Sequence, residues 1–521
     1  MESRSIVLDA RQRRVCVIGA GISGLVSAKV LAGDGFDVAV FEKEPTLGGV
    51  WAASRTYPGL RTNNPRDTYA FSDHPFPRTA GDFPSAAEMR AYLQSYAERF
   101  GLLSRIRVGT EVVRVAQDGA LWKVTVRGGE LEETLDFDFV VVCNGVFSEP
   151  SIPAVEGMEG FAGRIVHSTS LGDPELVQDR HVLVVGGGKS ALDCAGWAAA
   201  EGRSCTLVFR RAYWMWPRYL CGVLNVQWLM FSRLTASALR YHRLRRTEAW
   251  LHGTGAPLVR FVWSSVTRLL RAQTGISGPL VPEVPLPRHL ESIGIGTEAY
   301  TLVRSGRIRP KKAAIRRFRG GKAVELDDGE VLEADVVIFA TGFKQAVPFF
   351  EEPVRRQLER EDGFHLYRFI LPPGVQRLGF VGYNSSTACQ LTSEVAAHWL
   401  SDCFLGRLRP PSVEHMDREI DQVRRWAAEV MPARSRGFFV GPYVVPHLDE
   451  LMRDMGLATV RSCNFIAENL LPVWPARYRL LAEERRRRRD APARQARGRF
   501  YLSAARAAGV VLIVALWWML H

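Results

Sequence analysis

Two stretches of this chain pair closely spaced glycines with a charged residue at the end of the following strand. Each spells a phosphate-binding turn. In the first, Gly19-Ala20-Gly21-Ile22-Ser23-Gly24 follows the apolar run Val15–Ile18, and a second apolar run, Val38–Phe41, ends at Glu42. Glycines allow a tight turn and let the backbone approach a pyrophosphate, which the N-terminus of the next helix attracts. A carboxylate at the end of the second strand bonds a ribose hydroxyl pair and repels a 2′-phosphate, so this turn suits FAD. In the second stretch, Gly186-Gly187-Gly188-Lys189-Ser190-Ala191 follows the strand His181–Val185 and opens a helix over Leu192–Ala200. The next strand, Cys205–Phe209, ends at Arg210-Arg211. Two guanidiniums in place of the acid suit a phosphorylated ribose, hence NADPH, over the plainer reading as solvated turn residues.

The elements that must position these turns predict an α/β fold with two Rossmann-like dinucleotide-binding domains, the second inserted into the first. Asp138-Phe-Val-Val-Val-Cys-Asn-Gly145 and Asp335-Val-Val-Ile-Phe-Ala-Thr-Gly342 repeat one pattern of acid, apolar strand, small polar residue and glycine. They bracket the second turn, and we read them as the chain leaving the first domain and returning to it. The plan that follows is an FAD domain over 1–149 and 333–445, with an NADPH domain over 150–332 between its two parts. Pro150 and Pro153 suit the exit linker. Between 107 and 137, alternating residues with turns at Asp118-Gly119 and Gly128-Gly129 predict a small β-meander. Residues from about 213 to 287 are rich in aromatics and Arg and read as a helical insertion. They either pack on the body or form a lid, channel or membrane-facing surface.

A C-terminal extension over 446–484 and an Arg-rich linker with an apolar tail over 485–521 complete the plan. The formal net charge is +13, yet nine Arg and one Asp from Arg485 onward carry most of it, and no nucleic-acid motif accompanies it. The eight cysteines are scattered without a C-x-x-C pair, which argues against a disulfide framework, a metal site and a dithiol redox centre. The N-terminus has no apolar core of signal-peptide type, which predicts a cytosol-facing catalytic body. Ala507–Leu520 is uncharged. At ~1.5 Å per residue it reaches about 21 Å as a helix, short of a ~30 Å hydrocarbon core, so we expect interfacial membrane contact through 507–520 or packing on protein.

These elements resemble the flavin-containing monooxygenase family over roughly residues 12 to 410. Leu47-Gly-Gly-Val-Trp51 looks like its second flavin-contacting segment, and Phe161-Ala-Gly163-Arg-Ile-Val-His167 like its F-x-G-x-x-x-H motif. Asp335 to Phe343 is similar to its acid–strand–ATG[YF] motif, and Thr62-Asn63-Asn64 before Ser72-Asp73 to its active-site asparagine segment. Leu171 replaces an aromatic, and Lys189 stands where Asn or Ser is common. Trp51 to Gly59 also resembles the Baeyer–Villiger relatives, with one extra residue before Tyr57 and Asn63 in place of their Asp.

The resemblance implies an oxidoreductase: a flavoprotein monooxygenase in which NADPH reduces FAD and a C4a-hydroperoxyflavin passes one oxygen atom of O2 to a soft nitrogen or sulfur of a small organic substrate. Baeyer–Villiger oxygenation of a ketone and an NADPH oxidase or flavin reductase are the alternatives. Asn63 is the expected catalytic positioning residue, because a neutral amide both donates and accepts. Gly49, Val50, Trp51, Thr62, Asn64 and Thr341 are expected beside the flavin with the first turn. Gly186, Gly188, Lys189, Ser190 and Ala191, with Arg210 and Arg211, are expected on NADPH. His167 is implied to hold the domains in register and not to act as a base.

Overall fold

The computed structural model describes residues 13–288, 294–360, 363–384, 386–431 and 441–490. Its apolar runs form two parallel sheets, each covered on both faces, which is why the strands read as continuous apolar runs with no alternation. The first sheet runs Leu378–Phe380, Phe139–Val142, Arg14–Ile18, Asp37–Phe41, Ile106–Arg107, with every neighbour parallel. Helices Ile22–Gly33 and Cys389–Phe404 pack together beside it. The second runs Ile308–Lys312, Ser204–Phe209, His181–Val185, Val336–Phe339, Arg164–His167, again all parallel. The chain leaves the first sheet after Val142 and re-enters it at Leu378, so the second nucleotide fold is inserted in the first. On the way out and back, Glu149–Pro150 and Phe343–Lys344 pair as an antiparallel ribbon.

The strand after Asp335 does not return the chain to the first sheet, as its likeness to the Asp138 strand suggested. Val336–Phe339 lies in the second sheet, and the return comes some forty residues later. The likeness records equivalent places in two separate sheets: Asp138 Oδ2 accepts from Arg14 N–H at 2.9 Å, and Asp335 Oδ2 from His181 N–H at 2.8 Å. Each acid caps the central strand of its own fold. The three-stranded meander appears as Glu111–Asp118, Leu121–Gly128 and Leu131–Phe137, with Gly119 and Gly129 at positive φ in the turns.

The insertion is largely helical, over Gln227–Met230, Arg233–Ser237, Arg246–His252 and Ala256–Thr274. Its Trp214, Trp216, Tyr241 and Trp263 share one core with Trp426 and Tyr443 of the C-terminal part. Buried ion pairs reinforce the seam. Arg233 meets Asp449 at 2.7 Å and Glu468 at 2.5 Å, all three side chains under 5 % exposed. The insertion is therefore docked on the C-terminal helices Val413–Val430 and Val444–Asp454. The boundary expected at 485 falls inside the helix Leu481–Asp490. Arg485 is buried there, bonding Asp402 at 2.6 Å and Asp34 at 2.9 Å, so a sequence run of arginines that looked like solvated linker begins with a structural one. Residues 507–520 lie outside the described residues. Among the described residues no helix is long and apolar enough to cross a membrane.

Candidate active site

Both glycine turns open onto one cavity of about 740 Å³ between the two sheets. Gly19 has φ +101°, and a Cβ there would sit 2.7 Å from the Cys143 carbonyl oxygen. At Gly24 a Cβ would fall 1.8 Å from the Gly19 carbonyl oxygen, so this glycine serves close helix–strand packing. Gly21, Ile22 and Ser23 line the cavity, while Ala20 is buried behind them. Helix Ile22–Gly33 starts at Gly21 with no side-chain cap, leaving its N-terminal N–H groups for a ligand. Glu42 lines the same cavity and is held by the N–H groups of Ala20 (2.7 Å) and Glu44 (3.0 Å). Burial pushes its pKa up, and those two N–H groups pull it back.

Gly49, Val50 and Trp51 also line the cavity. Gly49 at φ +59° lies so close to the first turn that a Cβ would be 3.1 Å from Gly21 Cα. Asn63 is exposed to the cavity and Asn64 lines it with 1 % of its surface exposed. Neither polar atom of the Asn64 amide has a hydrogen-bond partner. Thr62 was expected at the cavity but turns away, donating its hydroxyl to the Asn64 carbonyl at 2.7 Å. The loop is anchored farther on at Ser72-Asp73, by Glu394 and Lys29, which the sequence did not single out. Ser72 donates its N–H and hydroxyl to Glu394 at 2.9 and 2.8 Å, and Lys29 pairs with Asp73 at 2.5 Å.

The second turn is built the same way. Gly186 (φ +143°) approaches the Ala340 carbonyl and Gly187 the Arg211 carbonyl so closely that a Cβ would sit 2.4 and 2.1 Å from them. Gly188 has open space, and helix Lys189–Glu201 begins there without a side-chain cap. Gly188, Lys189 and Ser190 line the cavity, whereas Gly186 does not, and Ala191 is buried in the core beneath the turn. Arg210 is exposed outside the cavity, and Arg211 lines a separate one of about 280 Å³ with Lys312 and Glu283. Thr341 also lies off the cavity, its hydroxyl donated to the Ser151 carbonyl, and Gly342 takes the lining position. His167 is fully bonded, Nε2 to the Gly342 carbonyl at 3.1 Å and Nδ1 to Thr169 Oγ1 at 3.0 Å, with burial lowering its pKa. It ends the strand Arg164–His167 of the second sheet.

The insertion, for which the sequence offered a channel as one reading, supplies Met230 and Phe231 to the far wall. Sequence reasoning named no individual residue of this wall, which also holds Ser386, Thr387 and Cys389 before and at the start of helix Cys389–Phe404, and Tyr69. None has a local signature, although Gly382 carries a clue, since a Cβ there would fall 2.1 Å from Ser23 Oγ. All eight cysteines are free, and burial pushes the Cys389 thiol up to about 11. Among the described residues no cluster of three or more His, Cys, Asp or Glu could hold a metal.

Two glycine cradles, two uncapped helix N-termini and an unpartnered buried amide on one cavity fit a pair of dinucleotides. Residues 12–252 and 300–462 match the family described as Flavin-binding monooxygenase-like. The chain belongs to that family and is a flavin monooxygenase. It is 32 % identical, over 91 % of its own length and 97 % of the relative's, to a probable flavin-containing monooxygenase 1 of Arabidopsis thaliana. It is 26 % identical, over 91 % and 85 %, to mouse (Mus musculus) dimethylaniline monooxygenase [N-oxide-forming] 4. Its fold matches an oxidized steroid monooxygenase bound to NADP, with TM-score 0.63 and 19 % identity over 85 % of this chain and 97 % of that one.

Proposed function

We propose that this flavin monooxygenase takes FAD on the first turn and NADPH on the second, and transfers one oxygen atom of O2 to a nitrogen or sulfur of a small organic substrate. The observation that carries the reading is that both turns, Glu42, Asn63 and Lys189 face one cavity. Bound flavin would supply the redox and oxygen chemistry, with NADPH as reductant. The chain supplies the rest. Uncapped helix N-termini at Gly21 and Gly188 would attract the two pyrophosphates, and Glu42 would bond the FAD ribose. Asn63 offers a neutral donor and acceptor beside the reacting centre. Arg211, with Lys312 beside it, recognises the 2′-phosphate outside the shared cavity, consistent with its separate pocket. The N-oxide-forming relative supports nitrogen as one acceptor.

A second reading, Baeyer–Villiger insertion into a ketone, draws on Arg61, a cation on the cavity wall two residues before Asn63. Purified protein supplied with NADPH, O2 and a panel of tertiary amines, sulfides and ketones separates them. N-oxide or sulfoxide formed in step with NADPH use is the expected result. Ester from ketone would transfer the assignment to the second reading, and hydrogen peroxide alone would overturn both.

As part of the same proposal, the uncharged Ala507–Leu520 and the arginines after Arg485 hold the chain at an anionic bilayer. Co-sedimentation with phosphatidylserine vesicles of the full chain, but not of a chain ending at residue 490, tests this. Equal sedimentation would refute it.

A further inference from the structure

Tyr57 belongs by sequence to the first nucleotide unit, between Trp51 and Asn63, yet its ring packs against the hydrophobic core of the second. Its hydroxyl donates to Asp193 Oδ2 at 3.0 Å and lies 3.4 Å from Ser190 Oγ. Asp193 stands one turn into helix Lys189–Glu201, the helix that opens at the second glycine turn. Lys189 Nζ bonds both oxygens of the same carboxylate, with the two side chains 13 % and 18 % exposed. Tyr57, Lys189 and Ser190 all line the shared cavity. A phenol from the flavin side thus reaches across the cleft to the helix of the dinucleotide side. Other ties join the units away from the second glycine turn: the Tyr219 hydroxyl donates to Asp82 Oδ2 at 2.6 Å, while the ribbon of Glu149–Pro150 with Phe343–Lys344 and the Asn144 amide to the Ala346 carbonyl lie at the linkers.

We propose that Tyr57 is a positioning residue for flavin reduction. Its bond to Asp193 fixes the helix that carries NADPH relative to the flavin-side segment Trp51–Asn63, and Lys189 balances the carboxylate. The inference rests on the assignment of NADPH to the second turn. Lys189 explains how an anion is tolerated where a pyrophosphate must approach: unpaired, Asp193 would repel it. Paired, the carboxylate still accepts from Tyr57 while presenting little net field to the ligand. Hydride transfer needs its donor and acceptor atoms held at about 3–3.5 Å, and small misplacements cost rate steeply. The lost bond is therefore read in the rate of reduction more than in affinity for NADPH.

The test is anaerobic stopped-flow reduction of the FAD-loaded full chain across NADPH concentrations. Tyr57→Phe keeps the ring packing and removes the bond. We expect its limiting rate of flavin reduction to fall about tenfold, with the dissociation constant for NADPH changed less than about threefold. Asp193→Asn, whose amide oxygen still accepts from Tyr57, retains more than half of the wild-type rate. Tyr57→Phe combined with Asp193→Ala is no slower than Asp193→Ala alone, because both remove one bond. A Tyr57→Phe rate equal to wild type, or losses that multiply in the double variant, would overturn the proposal. Flavin absorbance and melting temperature report whether each variant folds, and if Asp193→Ala does not, the contrast between Tyr57→Phe and Asp193→Asn decides. A wild-type protein that NADPH does not reduce would refute the cofactor assignment itself, a separate failure.

Discussion

Asn63 and Asn64 are neighbours with opposite surroundings. Asn63 is open to the cavity, whereas the Asn64 amide is buried with neither atom paired, a state that costs about 1–3 kcal/mol per group unless a ligand supplies the partner. Resemblance pointed to Asn63, and its exposed amide leaves it free to meet the reacting centre. Asn63→Ala should lower oxygenated product per NADPH on the order of tenfold while peroxide rises in compensation. Unchanged coupling in a paired assay of product and peroxide would remove Asn63 from the mechanism. Arg211 makes a second prediction at this scale. Its replacement by Ala should raise KM for NADPH roughly tenfold and leave KM for NADH nearly unchanged, since only NADPH carries the 2′-phosphate. Equal effects on the two nucleotides would argue that its pocket serves something else.

At the scale of elements, the insertion and the C-terminal helices are joined by buried charge. His242 Nε2 of the insertion lies 3.2 Å from Glu450 Oε1, and Arg368, from the segment before strand Leu378–Phe380, adds bonds to Asp454 at 2.8 Å and to Glu419 on the same C-terminal helices. Burial opposes ionisation of Glu450, yet the hydrogen bond from His242 and the charge of Arg368 hold its carboxyl at about 2. His447, on the same helix, is 1 % exposed and bonded to Asn384 at 3.2 Å; burial, with Arg368 nearby, lowers its pKa from 6.5 to about 4. The unfolded imidazole takes a proton as pH falls through 6.5, whereas the folded one does so only near 4. Stability from His447 is thus present above pH 6.5 and lost between 6.5 and 4, by roughly 3 kcal/mol in all. Melting temperature should decline across that window in the wild type and less steeply in His447→Gln; parallel declines would exclude His447 as the cause. Glu450 acts with the same sign below pH 4.5. A strand-scale lesson comes from Asp335. Its pattern correctly marked a sheet strand, but a pattern repeated in both folds cannot say which sheet the strand joins, because pairing is settled by chain entry and packing.

For the whole molecule, the central fact is that two separate sheets face one cavity. A ligand that fills this cavity from the second turn would touch both units. Adding NADP+ to the FAD-loaded protein should slow amide hydrogen exchange in residues 186–191 and also in the flavin-side segment 57–63, as read by mass spectrometry. Protection confined to the second unit would mean that the units act independently. The ribbon of outgoing and returning linkers supports the coupled view, since it ties the units by backbone hydrogen bonds at the rim of the same cavity.

Sequence by itself determined the two dinucleotide folds and most of the first turn's cavity lining. Those features are local. Glycines in a turn, an apolar strand on either side and a charge at the second strand's end all act within about 30 residues. Tertiary structure alone decided which sheet holds Val336–Phe339, that Arg485 is buried on Asp34 and Asp402, and that Thr62 and Thr341 turn away from the cavity. It also decided that Tyr57 reaches Asp193 and that Met230 and Phe231 close the far wall. Each of these depends on partners more than 50 residues away or on the direction a side chain takes in a packed environment. Spacing along the chain carries no record of either.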